Sequence, residues 1–82
     1  MKYYPNTCNY LMEAIKNSTS NIHFNDTKNH LLWMMDELQL FDDAAKRGRW
    51  IGWILAKSED MEILNTEKSI ELIRVDVKSE KY

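Results

Sequence analysis

The stretch Ala44-Ala45-Lys46-Arg47-Gly48-Arg49-Trp50-Ile51-Gly52-Trp53-Ile54-Leu55-Ala56 decides the fold. Ala44, Gly48, Gly52 and Ala56 recur every four residues, so on a helix they form a seam of small side chains along one face. A glycine in a helix interior costs about 1 kcal/mol relative to alanine. Close approach of a neighbouring helix would offset that cost, and it is the reading adopted here: the second or fourth helix packs tightly on the third. Between chains the same seam would make a symmetric homodimer. Its membrane counterpart is excluded by the interspersed Lys46, Arg47 and Arg49.

Outward from this segment the chain reads as four helices. Pro5, Asn6 and Thr7 suit a helix start, after which Cys8, Leu11, Met12 and Ile15 share one face. Residues 17–21 form a polar loop, with Ile22 and Phe24 expected to pin it to the core. A second helix opens near Asn25 to Thr27 with Asp26 as its cap, and buries Leu31, Met34, Met35, Leu38 and Phe41. Asp42 and Asp43 suit the start of the third, where negative charge meets the positive end of the helix dipole. On the third helix Ala44, Gly48, Ile51 and Leu55 are expected to face the core, and Trp53 to face away. Residues 58–64 read as a charged connection. Asn65 or Thr66 caps a fourth helix whose stripe is Ile70, Ile73 and Val77, with a fraying end from Lys78 onward. The expected fold is all-α: a compact single domain over residues 1–82 with about four short helices and a small-residue packing seam on the third.

Composition supports this. With two glycines and one proline in 82 residues, the chain lacks the turn formers of an all-β fold. Hydrophobic residues at 44% beside 29% charged indicate a globular chain rather than a disordered one. Net charge of −2 provides no basic field for nucleic acid; Lys46, Arg47 and Arg49, preceded by Asp42 and Asp43, read as a solvated helix start. A single cysteine allows no internal disulfide. The first residues lack the apolar run of a signal peptide, and no apolar stretch approaches the roughly 20 residues that span a bilayer. The expectation is a soluble, intracellular protein.

No catalytic or metal signature emerges. Asp36-Glu37, Asp42-Asp43 and Glu59-Asp60 are neighbours in sequence, but adjacent helical residues point about 100° apart and do not form a carboxylate pair. His23 and His30 lack further ligands at metal-binding offsets, and Asp26 with His30 is read as a helical i, i+4 pair. There is no phosphate loop and no activated nucleophile. The expectation is no enzyme, no cofactor and no metal.

The aromatic residues say more. Trp33 and Leu40 fall off the core arc of the second helix, on the side of Asn29 and Asp36; Trp53 falls off that of the third, beside Lys46, Arg49 and Lys57. One reading is that both tryptophans cover the edges of a small core. The other is a partner-binding face of Trp33, Asp36 and Leu40, with Lys46, Arg49 and Trp53 across from them, since tryptophan flanked by charge is a common binding anchor.

His30-Leu-Leu-Trp-Met-Met-Asp-Glu-Leu38 followed by Lys46-Arg-Gly-Arg-Trp-Ile-Gly-Trp-Ile54 resembles a group of short helical proteins of tailed bacteriophages, over about Asn29 to Arg74. Within that group the size and the Asn/Lys/Ile-rich style are similar to the lysis inhibition accessory proteins of T-even-type phages. The resemblance implies a cytoplasmic antiholin that binds the cytoplasmic N-terminal segment of the holin and delays lysis, working in the host cytoplasm by protein–protein interaction. Two alternatives stand beside it. One is an inhibitor of a host or bacterial-defence protein, and the other a small nucleic-acid-binding regulator using Lys46, Arg47 and Arg49.

Overall fold

A computed structural model describes residues 2–18 and 25–80. Its elements are α1 (Pro5–Asn17), α2 (Asn25–Leu38), α3 (Ala44–Asp60) and α4 (Thr66–Glu80), without strands among the described residues. The all-α bundle is therefore as expected. The positions of Ile22, His23 and Phe24 lie outside the described residues. α1 packs on both α4 and α2, and α2 packs on α3, whereas α3 and α4 barely touch despite being consecutive. The molecule measures 40 × 25 × 17 Å.

Cys8, Leu11 and Ile15 of α1 meet Leu31, Met34, Met35 and Leu38 of α2 and Ile51, Ile54 and Leu55 of α3, with Leu64 closing the α3–α4 connection. Leu72 is the buried apolar residue that α4 adds. Phe41, expected on the second helix, lies past its end, half-buried in the connection to α3.

The helix ends show why the segments stop where they do. Asp43 caps α3, its carboxylate accepting from the backbone N–H groups of Ala45 at 2.9 Å and Lys46 at 3.4 Å. Asn65 does the same for α4, accepting from Lys68 N–H at 2.8 Å. α3 runs on to Asp60, further than the charged connection expected from Ser58. It ends in a Schellman arrangement, with Glu62 N–H bonded to Glu59 C=O and Ile63 N–H to Ser58 C=O, both at 3.0 Å. Glu62 occupies the left-handed position there (φ 61) that glycine usually fills.

α1 departs from expectation. Neither Asn6 nor Thr7 acts as its N-cap; the residue before the helix is Tyr4, left-handed at φ 50, and it makes no side-chain cap. The cap comes from the far end of the chain. Asp76, fully buried on α4, accepts from Asn6 N–H at 3.0 Å, Asn6 Nδ2 at 2.9 Å, Thr7 N–H at 2.8 Å and Thr7 Oγ1 at 2.6 Å. A carboxylate at a helix N-terminus satisfies orphan donors and meets the positive dipole end.

That cap overturns the expected rotation of α4. To place Asp76 on α1, the helix turns Ser69, Leu72 and Asp76 inward. The Ile70/Ile73/Val77 stripe is carried outward: Ile70 and Val77 are 47% and 42% exposed, and Ile73 is only half-buried. The hydrogen-bonded carboxylate wins over the apolar stripe, because an unsatisfied helix N-terminus in the interior costs more than leaving three aliphatic side chains partly wet.

The seam on α3 is the second correction. Ala44, Gly48, Gly52 and Ala56 do align, yet Ala44, Gly52 and Ala56 are exposed, and a Cβ on Gly48 or Gly52 would meet nothing within 4 Å. Among the described residues no helix comes into contact with these two glycines. α2 packs on the other flank of α3, the one carrying Trp50, and α4 passes wide on the seam side. The gap between them is a groove of about 300 Å³ lined by Gly52, Leu55, Ala56, Glu59, Ser69, Ile70, Ile73 and Arg74. Buried at its wall, Ser69 Oγ has no hydrogen-bond partner.

Candidate partner-binding face

Across the α2–α3 packing runs a chain of rings. Trp53 stands edge-on to His30 with centroids 5.8 Å apart, and His30 stacks on Trp33 at 5.5 Å. Trp33 meets Trp50 at 5.9 Å, and Trp50 receives Phe41 edge-on at 4.6 Å. Spacing explains the arrangement: His30 and Trp33 are one turn apart on α2, and Trp50 and Trp53 one turn apart on α3. Two such pairs brought side by side interdigitate. Edge and offset contacts of this kind add about 0.5–1.5 kcal/mol each beyond area burial.

The same cluster remains open to solvent. Trp33 is 50% and Trp53 46% exposed, whereas Trp50 packs against the core. The tryptophans cover the α2–α3 seam with one face and present the other outward. The sequence did not single out His30, Trp50 or Phe41 for this face. The recurrence of aromatic rings at i, i+3 on both helices was the signal available for the first two. His30 turns to the rings rather than to Asp26.

The charged residues are distributed differently from expectation. Lys46 Nζ lies 4.2 Å from the Phe41 ring centroid, which brings one expected site residue onto the end of the aromatic chain. Arg49 is exposed, one turn before Trp53 on the same side of α3. Asp36 is exposed too, but at i+3 from Trp33 it lies on the flank away from His30. Its charge contributes there to the upward shift of the Cys8 thiol. Glu37, four residues beyond Trp33 on the His30 flank, is the acid nearer the rings in rotation. No ion pair among the described residues joins Asp36 to Lys46 or Arg49. Leu40, 73% exposed, stands in the turn after α2.

Arg47 is fully engaged within the fold. Its guanidinium lies 3.8 Å from the Tyr3 ring centroid and donates to Phe41 C=O. Tyr3 is itself locked to the turn after α2, its N–H donating to Gln39 Oε1 at 2.6 Å and its C=O accepting from Gln39 Nε2 at 2.9 Å. The one cysteine is buried on α1, and burial first, then the nearby Asp76 charge, pushes its thiol up to about 12. Such a thiol is a packing group rather than a nucleophile.

Among the described residues no three His, Cys, Asp or Glu side chains gather where a metal ion could sit, and no helix is long and apolar enough to cross a membrane. Comparison with protein families, with curated proteins and with solved structures finds no match for this chain.

Proposed function

We propose that this protein acts by stoichiometric binding, receiving an amphipathic protein segment on the aromatic face of α2 and α3. The observation that carries the reading is the ring chain from Trp53 through His30 and Trp33 to Trp50 and Phe41. It is rigid where the rings meet each other and open where Trp33 and Trp53 meet solvent. Pre-ordered aromatic anchors lose little conformational entropy on binding. The charges of Lys46 and Arg49 on α3 and of Glu37 on α2 can select the register of a helix laid across the rings.

The partner we favour is the cytoplasmic N-terminal segment of a phage holin, which makes the protein a cytoplasmic antiholin that delays host lysis. That choice rests on the resemblance of the His30–Leu38 and Lys46–Ile54 blocks to small phage proteins. The nucleic-acid alternative loses ground on a specific observation: of the three clustered bases, Arg47 is committed to Tyr3 and Phe41 within the fold.

The test is a titration of the full chain with the soluble N-terminal segment of a T-even-type holin, followed by tryptophan fluorescence. Saturable binding is expected, weakened at least tenfold in Trp33→Ala, which corresponds to about 1.4 kcal/mol. Absence of saturation up to about 100 μM, weaker than ordinary specific complexes, would remove the holin as partner. The inhibitor of a host or defence protein would then take its place.

A further inference from the structure

The ring face is framed by charge of opposite sign on its two helices. On α2, Asp26 and Glu37 lie within about 40° of Trp33 in rotation, and Asp36 about 60° to its other side. Lys28, the base of that helix, is buried on the far side. On α3, Lys46 and Lys57 lie within about 40° of Trp53, and Arg49 about 40° to its other side.

The packing of the rings puts these charges in register. Trp53 meets His30 and Trp50 meets Trp33, so α2 and α3 run antiparallel, and each step forward on α2 is a step back on α3. Carried outward, that register sets Asp26 level with Lys57 and Glu37 level with Lys46, with Asp36 within a turn of the level of Arg49. The outer two levels bracket the rings and stand about 16 Å apart along the helices. Among the described residues no ion pair crosses from α2 to α3. Lys57 holds Asp60 of its own helix at 3.6 Å, on the surface, and exposed pairs of that kind are readily exchanged.

A face with acids on one helix and bases level with them on the other is complementary to itself under one rotation. A two-fold axis lying in the face and parallel to the helices sets α2 of each copy over α3 of the other at the same level. Acid then meets base, and ring meets ring. An axis lying in the face but running across the helices sets α2 on α2 and α3 on α3, so that like charges meet.

We propose that two copies of this chain associate through the α2–α3 face, about the two-fold axis parallel to the helices. The interface is isologous: Glu37 of each copy faces Lys46 of the other, Asp36 faces Arg49 and Asp26 faces Lys57. The open sides of His30, Trp33 and Trp53 cover one another between these pairs. The four helices form a bundle in which each neighbour is antiparallel. Association is weak, on the order of tens of micromolar, because an exposed ion pair contributes only about 0.2–1 kcal/mol. The second copy occupies the face proposed for a partner segment and competes with it. That competition rests on the partner reading, whereas the dimer does not.

The test is sedimentation equilibrium of the full chain, with no partner segment present, from about 5 to 500 μM. Wild type is expected to rise from near the 9.8 kDa of one chain toward twice that mass. Glu37→Lys and Lys46→Glu should each weaken the dimer about tenfold, and the double variant, which exchanges the charges, should restore it. Asp36→Arg with Arg49→Glu, both at exposed positions, repeats the exchange should a Glu37 variant lose its helical signal. Trp33→Ala should weaken association about tenfold with the helical signal kept. A wild type that stays monomeric to about 500 μM overturns the proposal and leaves the holin titration standing. A dimer indifferent to Trp33→Ala overturns the use of this face. A dimer strengthened by Glu37→Lys or Lys46→Glu, or not restored by either exchange, overturns the parallel axis.

Discussion

The α1–α4 half and the α2–α3 half of this molecule are held by different chemistry. Between α1 and α4 the decisive contact is polar: one buried carboxylate, Asp76, takes four donors from Asn6 and Thr7. Between α2 and α3 it is apolar, with Leu31, Met34, Met35 and Leu38 against Ile51, Ile54 and Leu55, roofed by half-open rings. A directional lock tolerates no substitution but fixes the rotation of its helix. A hydrophobic seam with an aromatic roof tolerates changes on its outer side, and so can be adapted to a partner. The fold is anchored in the first half, and the face we propose for binding is carried by the second.

The sharpest way to break this contrast is Asp76→Ala. It leaves the buried N–H and hydroxyl of Thr7 without an acceptor and removes the charge that caps α1, and is expected to cost about 3 kcal/mol. For a domain of this size that lowers Tm by roughly 15 °C, read from the far-ultraviolet circular dichroism of a thermal melt. A loss under about 1 kcal/mol, within the range of an ordinary exposed cap, would show that α1 and α4 are held by something else.

Cys8 probes the same half by pH. The folded thiol keeps its proton up to about 12, against an ordinary value of 9.0. The unfolded chain therefore loses this proton first, and the folded state binds more protons between those limits. The sign follows from linkage: the contribution of Cys8 to stability is fully present below pH 9, and declines as pH rises toward 12. Chemical denaturation at pH 8 and pH 10.5 should give a lower midpoint at the higher pH, with much of the difference removed in Cys8→Ala. An unchanged difference in Cys8→Ala would assign the alkaline loss to other groups.

A smaller effect of opposite sign is expected at Gly52. Its added Cβ meets nothing, so Gly52→Ala should gain up to about 1 kcal/mol from helix propensity alone. A destabilised Gly52→Ala, measured by denaturant midpoint, would mean that something does pack closely on the seam of α3 within the chain.

The helices themselves were legible in the sequence, because each carries its own apolar period and Asp43 and Asn65 mark two of the starts. What periodicity could not deliver was the rotation of α4. An apolar stripe at Ile70, Ile73 and Val77 predicts a buried face there, and only the position of Asp76 over the α1 terminus reverses it. That contact joins residues some 70 positions apart, and no local pattern encodes it. The seam failed for a related reason. Four small residues in line say that a helix can approach, and do not say that one in the same chain does. At the candidate site, Trp33 and Trp53 were correctly placed off the core arcs. Their meeting through His30 depends on how α2 and α3 are set side by side.

The most direct test of the contrast is thermal unfolding of Trp53→Ala, followed by circular dichroism at equal concentration beside the wild type. The side chain is 46% exposed and gives one edge contact to His30, so the variant should keep the wild-type helical signal and lose only about 1 kcal/mol, a shift of roughly 4–8 °C. Collapse of the helical signal, or a loss as large as that of Asp76→Ala, would make Trp53 a core residue and contradict the assignment of the aromatic face to binding.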